Sequence, residues 1–405
     1  MGNLSDVIVV GGGIGGLAVA LSIVQRTEKT VAILEQAPEF GEVGAGIQLA
    51  PNALFVLDQL GVKQEILDVA VLPKRLVLKD VYTAKELAVL DLTDGFQERF
   101  GQPYIVLHRS DLHRVLYEKC QKYDRITFMN DQQIQTVAQA DGTVTIANQR
   151  GEEFTASAII GADGIKSNVR KLFSNDEMVC SEYVAYRGTL PIEEITSKGD
   201  IAMDDVIMWV GPNLHLVQYP VRRGELYNQV VVFKTYDYKP EGDWGTPEEM
   251  TKRFEGAHPD VHRALQYIST QFRWPMFHRL PIDNWTDGNV TLLGDAAHPM
   301  LQYLAQGGVQ ALEDAYVLGE ALENEETYNA AFLRYQEERQ PRSAMVQNSA
   351  RRWGEIIHAD SESDLDRALL LLRDHLFSNH TATNYEVADF LYNYFNKRKS
   401  EAAVK

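Results

Sequence analysis

An α/β fold is predicted, in which a parallel-sheet body carries an inserted β-sheet domain and ends in a helical segment. Three observations carry that prediction. Apolar runs that reach an acid or a glycine turn occur at residues 6–10, 158–162 and 289–293, as suits strands buried on both faces of a parallel sheet. The first run enters a glycine-dense turn and then a helix-compatible segment, the order of a Rossmann-type βαβ unit. Between the second and third runs, residues 183–284 are β-rich and aromatic without a long helical stretch, which marks a separate sheet. The body is then assembled from residues 1–74, 101–182 and 285–350. A hairpin at 75–100 and residues 183–284 form the inserted domain, and 351–405 the helical segment.

Composition excludes several classes. A chain of 405 residues with 45% hydrophobic and 24% charged residues has the balance of an ordinary soluble globular protein. It contains no apolar run near the roughly 18 residues of a membrane span, and no charged-then-apolar leader precedes the first strand, so a cytoplasmic location is expected. Cys120 and Cys180 lack metal-ligand spacing, and two reduced thiols with no metal site are expected. The net charge of -18 disfavours nucleic acid and anionic membranes as partners. An anionic substrate would need local donors in its pocket against that field.

Taken in order, Asp6 to Val10 form the first strand and run into Gly11-Gly12-Gly13-Ile14-Gly15-Gly16. Gly11, Gly13 and Gly16 satisfy G-x-G-x-x-G: the first for the tight turn, the second for close approach of a pyrophosphate, the third for helix–strand packing. A helix from Leu17 to about Arg26 aims its N–H groups at that pyrophosphate. The next strand, Thr30 to Leu34, ends at Glu35, about 20 residues on, where a carboxylate accepts from ribose hydroxyls and disfavours a 2′-phosphate. Glycines alone are turn punctuation; strand, glycines, helix, strand and acid in order specify a dinucleotide site.

Residues 40–52 are glycine-dense and exclude a regular helix, leaving either a close approach of the backbone to a partner or a plain connecting loop. Pro51 suits the first turn of a helix to Leu60, which Gly61 caps. Residues 75–80 and 87–92 alternate as a hairpin. Tyr104 lies in the strand that leads to Arg109 at a strand-to-helix junction, where an arginine is either a phosphate or cofactor contact or a solvated surface residue. Short strands from 126 to 154 carry an Asp141-Gly142 hairpin signal. Asp163-Gly164 then ends a second strand–acid–turn–helix module, and its repetition argues for a long two-nucleotide cofactor. In Leu214 to Pro220, alternation puts His215, Val217 and Tyr219 on one face; a lone strand histidine is more often structural than catalytic.

The third module is Gly294-Asp295-Ala296-Ala297-His298-Pro299, followed by Gln302-Tyr303 and by Gln306-Gly307-Gly308, which opens a helix carrying Glu313-Asp314. A strand-tip carboxylate and free helix N–H groups suit hydroxyls and a polar ring edge. Helices follow from Tyr328 to about Trp353, and an aromatic helical stretch from Tyr385 to Phe395 is expected to pack on the body, with a homodimer interface as a candidate.

Together these residues resemble a known family. Gly11-x-Gly13-x-x-Gly16, Asp163-Gly164-x-x-Ser167-x-x-Arg170 and Gly294-Asp295-Ala296-Ala297-His298-Pro299 occur in the order and spacing of single-component FAD-dependent aromatic hydroxylases, over essentially the whole chain. The resemblance implies a glutathione reductase-like FAD-binding domain with tightly bound, non-covalent FAD. It implies Glu35 at the adenosine ribose, Arg109 at the flavin or its phosphates, and Asp295 at the ribityl and phosphate region. Asp163-Gly164 would touch FAD and, more loosely, NAD(P)H; Gly46 and Gly307-Gly308 would lie near the isoalloxazine.

Within that family the sequence is most similar to the 3-hydroxybenzoate 6-hydroxylases, on His298-Pro299-x-Leu301-Gln302-Tyr303-Leu304-Ala305, His215-x-x-Gln218-Tyr219-Pro220 and Tyr186-Arg187-Gly188-Thr189. Many relatives, salicylate hydroxylases among them, have proline where this chain has Gln302 and glycine where it has Ala305. The likeness implies NADH and O2 as co-substrates, a small phenolic aromatic acid as substrate and gentisate (2,5-dihydroxybenzoate) as product, through a C4a-hydroperoxyflavin. On it, His215 is a base near pKa 7 that draws off the phenol proton, Gln302 orients the phenol, and Tyr104, Tyr219 and Tyr303 line the substrate. Salicylate or 6-hydroxynicotinate hydroxylation, a flavoprotein acting on a non-aromatic substrate, and a non-catalytic FAD-binding regulator are the alternatives.

Overall fold

The computed structural model describes residues 4–41, 45–196, 203–359 and 386–404. Glu42, Val43 and Gly44 of the glycine-dense loop, and residues 360–385 with Tyr385, lie outside the described residues. The body is built on five parallel strands in the order Val290–Leu292, Glu153–Gly161, Ser5–Val10, Val31–Leu34 and Ile126–Met129. The sheet is completed by three antiparallel strands, Thr286–Asp287, Thr143–Asn148 and Ile134–Ala140. Val7 to Val10 and Val31 to Leu34 are buried throughout. Such continuous burial is why these strands read as unbroken apolar runs rather than alternating ones.

The glycine turn feeds the helix Ile14–Arg26, three residues earlier than its apolar run suggested. That helix is buried almost all round, because it lies between the sheet and the helix Gly307–Asn324. A methyl group at Gly319 would stand 2.0 Å from Ser22 Oγ, so the two helices cross where neither can carry a larger side chain. Gly46–Leu49 pairs with Ile105–His108 as a two-stranded ribbon, and Pro51 opens the helix Pro51–Gln59. After Asp163 the expected helix is only the 3₁₀ turn Val169–Leu172: the Asp163 carboxylate accepts from the Asn168 N–H at 2.8 Å and from Val169 N–H at 3.3 Å, which holds the chain in a turn.

The second sheet has the order Trp274–His278, Val179–Pro191, Leu226–Lys234, Leu214–Val221, Asp205–Gly211, Arg75–Asp80 and Glu86–Asp91. All its pairings are antiparallel except Asp205–Gly211 with Arg75–Asp80. The early hairpin thus joins strands more than a hundred residues later. One face of Leu214–Val221 packs Leu214 and Leu216 into a core with Trp209, Phe233 and Phe254; the other turns His215, Val217 and Tyr219 toward a cavity. The helix Tyr328–Ile357, with Pro341 inside it, runs from the body to that cavity. Among the described residues no helix is long and apolar enough to cross a membrane.

Candidate active site

Between body and second sheet lies a cavity of about 910 Å³, the size of a site for a cofactor and a small substrate together. Gly13, Ile14 and Gly15 form part of its wall, with Gly46, Arg109, Gly164, Asp295, Gly307 and Gly308. Gly11 and Gly16 do not reach it. Gly11 has φ +108°, and a Cβ on Gly16 would stand 2.0 Å from the Gly11 carbonyl oxygen, so these two serve the turn and the packing. Glu35 also stands off the main wall: its carboxylate accepts from Gly12 N–H at 2.7 Å and Ala37 N–H at 2.8 Å, bracing the glycine turn at its outer side. Asp163 spends its carboxylate on its own turn, and Gly164 alone of that pair faces the cavity.

The residues present fit FAD. A Cβ on Gly13 would meet nothing within 4 Å, so an open cradle lies against the backbone there. Neither Ile14–Arg26 nor Gly307–Asn324 has a side-chain cap hydrogen bond, and the free N–H groups of both first turns suit a pyrophosphate and a polar ring edge. Asp295, exposed to the cavity, and Arg109 add an acceptor for ribityl hydroxyls and a cation for phosphate.

A buried ionic cluster braces this wall. His298 Nε2 lies 2.6 Å from Asp314 Oδ2, and the Gly294 N–H donates to the same oxygen at 3.0 Å. Arg339 bridges Asp314 at 2.7 Å and Glu313 at 2.5 Å, and Arg342 adds two bonds to Glu313 at 2.6 and 2.7 Å. Asn52 donates to Glu313 at 2.6 Å. Burial works against the Asp314 charge, but His298 and Arg339 outweigh it and hold the carboxyl below its usual range; Arg342 and Arg339 do the same for Glu313. Arg170 donates to the carbonyls of Ala296 and Ala297 at 2.9 and 2.7 Å. The third motif's turn is therefore gripped from behind by the second motif's arginine and by the long helix. Neither grip is readable from the motifs alone.

The same cavity wall holds Tyr104, His215, Tyr219, Gln302 and Tyr303, the five residues expected at a substrate. Tyr104 donates to Gln48 Oε1 at 2.6 Å, and Gln48 also hydrogen-bonds the Tyr219 hydroxyl. Burial raises both tyrosine pKa values, so both stay protonated. His215 departs from expectation. Burial pushes its imidazole pKa down to about 3, far from neutrality, because desolvation penalises the cation. Its Nδ1 lies 2.7 Å from Nε2 of His358. His358, Gln48, Arg187 and Tyr392 were not assigned to the site from sequence, although Arg187 stood inside a quoted motif. Among the described residues the cavity wall carries three arginines, Arg109, Arg187 and Arg352, and one carboxylate, Asp295.

Comparison with known proteins gives the same assignment. The FAD-binding domain family model matches residues 5–350. The chain is 40% identical over 392 residues to a 3-hydroxybenzoate 6-hydroxylase of Polaromonas naphthalenivorans (strain CJ2), covering 95% of each chain. The chain belongs to the FAD-dependent aromatic hydroxylases. Another of these hydroxylases, a 3-hydroxybenzoate 6-hydroxylase of Klebsiella oxytoca, is 37% identical, over 89% of this chain and 90% of that one. The fold matches a salicylate hydroxylase substrate complex with TM-score 0.77 at 24% identity, over 95% and 96% of the two chains. It also matches Klebsiella pneumoniae HpxO complexed with FAD and uric acid, with TM-score 0.79 at 23% identity over 91% and 92%. This aromatic hydroxylase thus brings its glycine and acid turns to one cavity with residues of the second sheet.

Proposed function

We propose that the chain converts 3-hydroxybenzoate to gentisate by the reaction 3-hydroxybenzoate + NADH + H⁺ + O₂ → gentisate + NAD⁺ + H₂O. The observation that carries this reading is a buried neutral imidazole, His215, in one cavity with two protonated tyrosines and the flavin-side turns. The names of the two relatives at 37–40% identity support the substrate. When bound, the reduced flavin supplies an electrophilic oxygen drawn from O₂.

The protein's part is position, proton transfer and exclusion of water. His215 has one ring nitrogen engaged by His358, leaving the other to take the phenol proton. Its low pKa reflects desolvation, and a phenolate formed beside it supplies the counter-charge that favours the imidazolium. The phenolate pushes electron density to its para carbon, the position hydroxylated. Gln302, exposed to the cavity, orients the phenol oxygen. Because Tyr219 accepts from Gln48, its own O–H is left to donate to the substrate carboxylate, with Arg187 nearby as a favourable charge. Trp353, Ala388, Leu391 and Tyr392 wall the cavity with apolar surface and keep out the water that diverts oxygen to peroxide.

The test is His215→Ala, assayed with 3-hydroxybenzoate, salicylate and 6-hydroxynicotinate. FAD content and flavin reduction by NADH are expected to be retained, while gentisate formation falls by about 10²-fold and peroxide release rises. Unchanged coupling of NADH to gentisate would remove His215 as the base, and product from salicylate alone would replace the substrate.

A further inference from the structure

The ring that His215 touches decides which of its nitrogens can act. His215 and His358 lie edge to edge with near-parallel planes, 4.9 Å between centroids and 25° apart, with His215 Nδ1 2.7 Å from His358 Nε2. Between two neutral imidazoles one nitrogen must donate and the other accept, so the direction of this bond fixes the tautomer of both rings. That direction is set at His358. Its imidazole also lies by the carbonyl of Gly354, one turn back on the long helix, which favours a protonated ring nitrogen on that side. A carbonyl only accepts, and Nε2 is engaged by His215, so Nδ1 of His358 carries the proton. A neutral ring has no second proton to give. Nε2 of His358 is therefore an acceptor, and His215 donates to it from Nδ1.

We propose that His358 is a positioning residue that locks His215 in its Nδ1–H tautomer, leaving a lone pair on His215 Nε2 for the substrate phenol. The relay runs from the Gly354 carbonyl through His358 to His215. Packing holds it: Tyr183 stacks on His358 at 4.5 Å and 22°, and Tyr303 meets His215 and His358 edge-on at 5.7 and 5.1 Å. A Cβ on Gly354 would stand 2.3 Å from the Tyr303 ring, so Gly354 supplies both the carbonyl and the space for that clamp. Burial keeps both imidazoles neutral. A carboxylate in place of His358 would also fix the tautomer, but it would favour the charged His215, which is no longer a base. A neutral histidine fixes the proton without charging the ring. When His215 takes the phenol proton at Nε2, the Nδ1–H stays shared with His358, which spreads the positive charge.

The inference rests on His215 as the phenol's proton acceptor, and its test separates the two. In the ¹⁵N-histidine-labelled holoenzyme, His215 is expected to show a protonated Nδ1 and a bare Nε2 by ¹⁵N chemical shift. In His358→Ala both signals move toward tautomer averaging, gentisate formation falls about tenfold with flavin reduction by NADH retained, and peroxide release rises. In His358→Gln, whose Oε1 accepts from the same N–H, tautomer and coupling recover together. A protonated Nε2 on His215 in the unsubstituted holoenzyme, or an unmoved tautomer in His358→Ala, overturns the proposal. Should His215→Ala lose coupling while His358→Ala keeps it, the positioning role fails and the base assignment stands. Should His215→Ala keep coupling, the base assignment fails while the ¹⁵N shifts still decide the tautomer.

Discussion

Ala305 closes the short turn that presents Gln302 and Tyr303, and it does so with φ 52° and ψ 34°. A side chain in that left-handed region crowds the following carbonyl, so the turn is held by its surroundings rather than by local preference. Ala305→Gly removes the crowding but loosens the unfolded chain, and the net expectation is stabilisation of up to about 1 kcal/mol, read by thermal unfolding of the holoenzyme. Destabilisation instead would show that the Ala305 methyl packs better than its backbone strains. At the same scale, Gly46 has no freedom to gain a side chain: its Cβ would meet the Tyr219 ring at 2.5 Å and Asn228 Cγ at 2.7 Å. Its N–H donates to Asn228 Oδ1 at 2.7 Å, which ties the two-stranded ribbon directly to the second sheet.

The long helix Tyr328–Ile357 works at both ends of the site. Near its middle, Arg339 and Arg342 neutralise Glu313 and Asp314 with every partner buried. Near its end, Arg352, Trp353 and Ile356 line the cavity, and His358 follows as its C-cap. Removing one member of a buried charge set strands the others in low dielectric. Arg339→Met is therefore expected to cost about 3–5 kcal/mol of unfolding free energy, measured by urea denaturation, and to weaken FAD retention through the Gly294 turn that Asp314 holds. A variant as stable as the parent would mean that Arg342 and His298 suffice. The aromatic stretch near the C-terminus packs as the sequence suggested: Phe395 stacks on Phe55 at 4.2 Å, and Tyr392 meets Phe96, Phe100 and Tyr104.

Across the whole molecule these buried groups set the acid limit of stability. His215 is held at about 3 against an ordinary 6.5, and His358 is lowered well below that value, in both cases because burial disfavours the cation. Below pH 6.5 the unfolded chain binds protons that the folded chain refuses, so stability falls with pH toward about 3 and is flat above 6.5, with a slope of at most about 1.4 kcal/mol per pH unit for each ring. Asp314 and Glu313 lie below their ordinary 3.8 and 4.5. Their contribution is present above those values and is lost as pH falls below them. Urea unfolding at pH 7.5 and pH 5.0 is expected to show a loss that a His215→Asn/His358→Asn double variant reduces; an equal loss in both would place the proton uptake elsewhere.

The sequence by itself determined the parallel sheet, the glycine turn that follows its first strand, and the face of Leu214–Val221 that bears His215 and Tyr219. Each of these depends on local backbone conformation or on period-two alternation, which are written in contiguous residues. Only the tertiary structure decided that Glu35 and Asp163 brace turns, that Arg170 and the acids Glu313 and Asp314 grip the flavin-side wall, and that Gln48 links Tyr104 to Tyr219. It alone set His358 against His215 across a separation of 143 residues. Such partners are chosen by how helices and sheets pack, and no spacing along the chain encodes that choice. The low pKa of His215 has the same origin, since it comes from the protein that surrounds the ring and not from its neighbours in sequence.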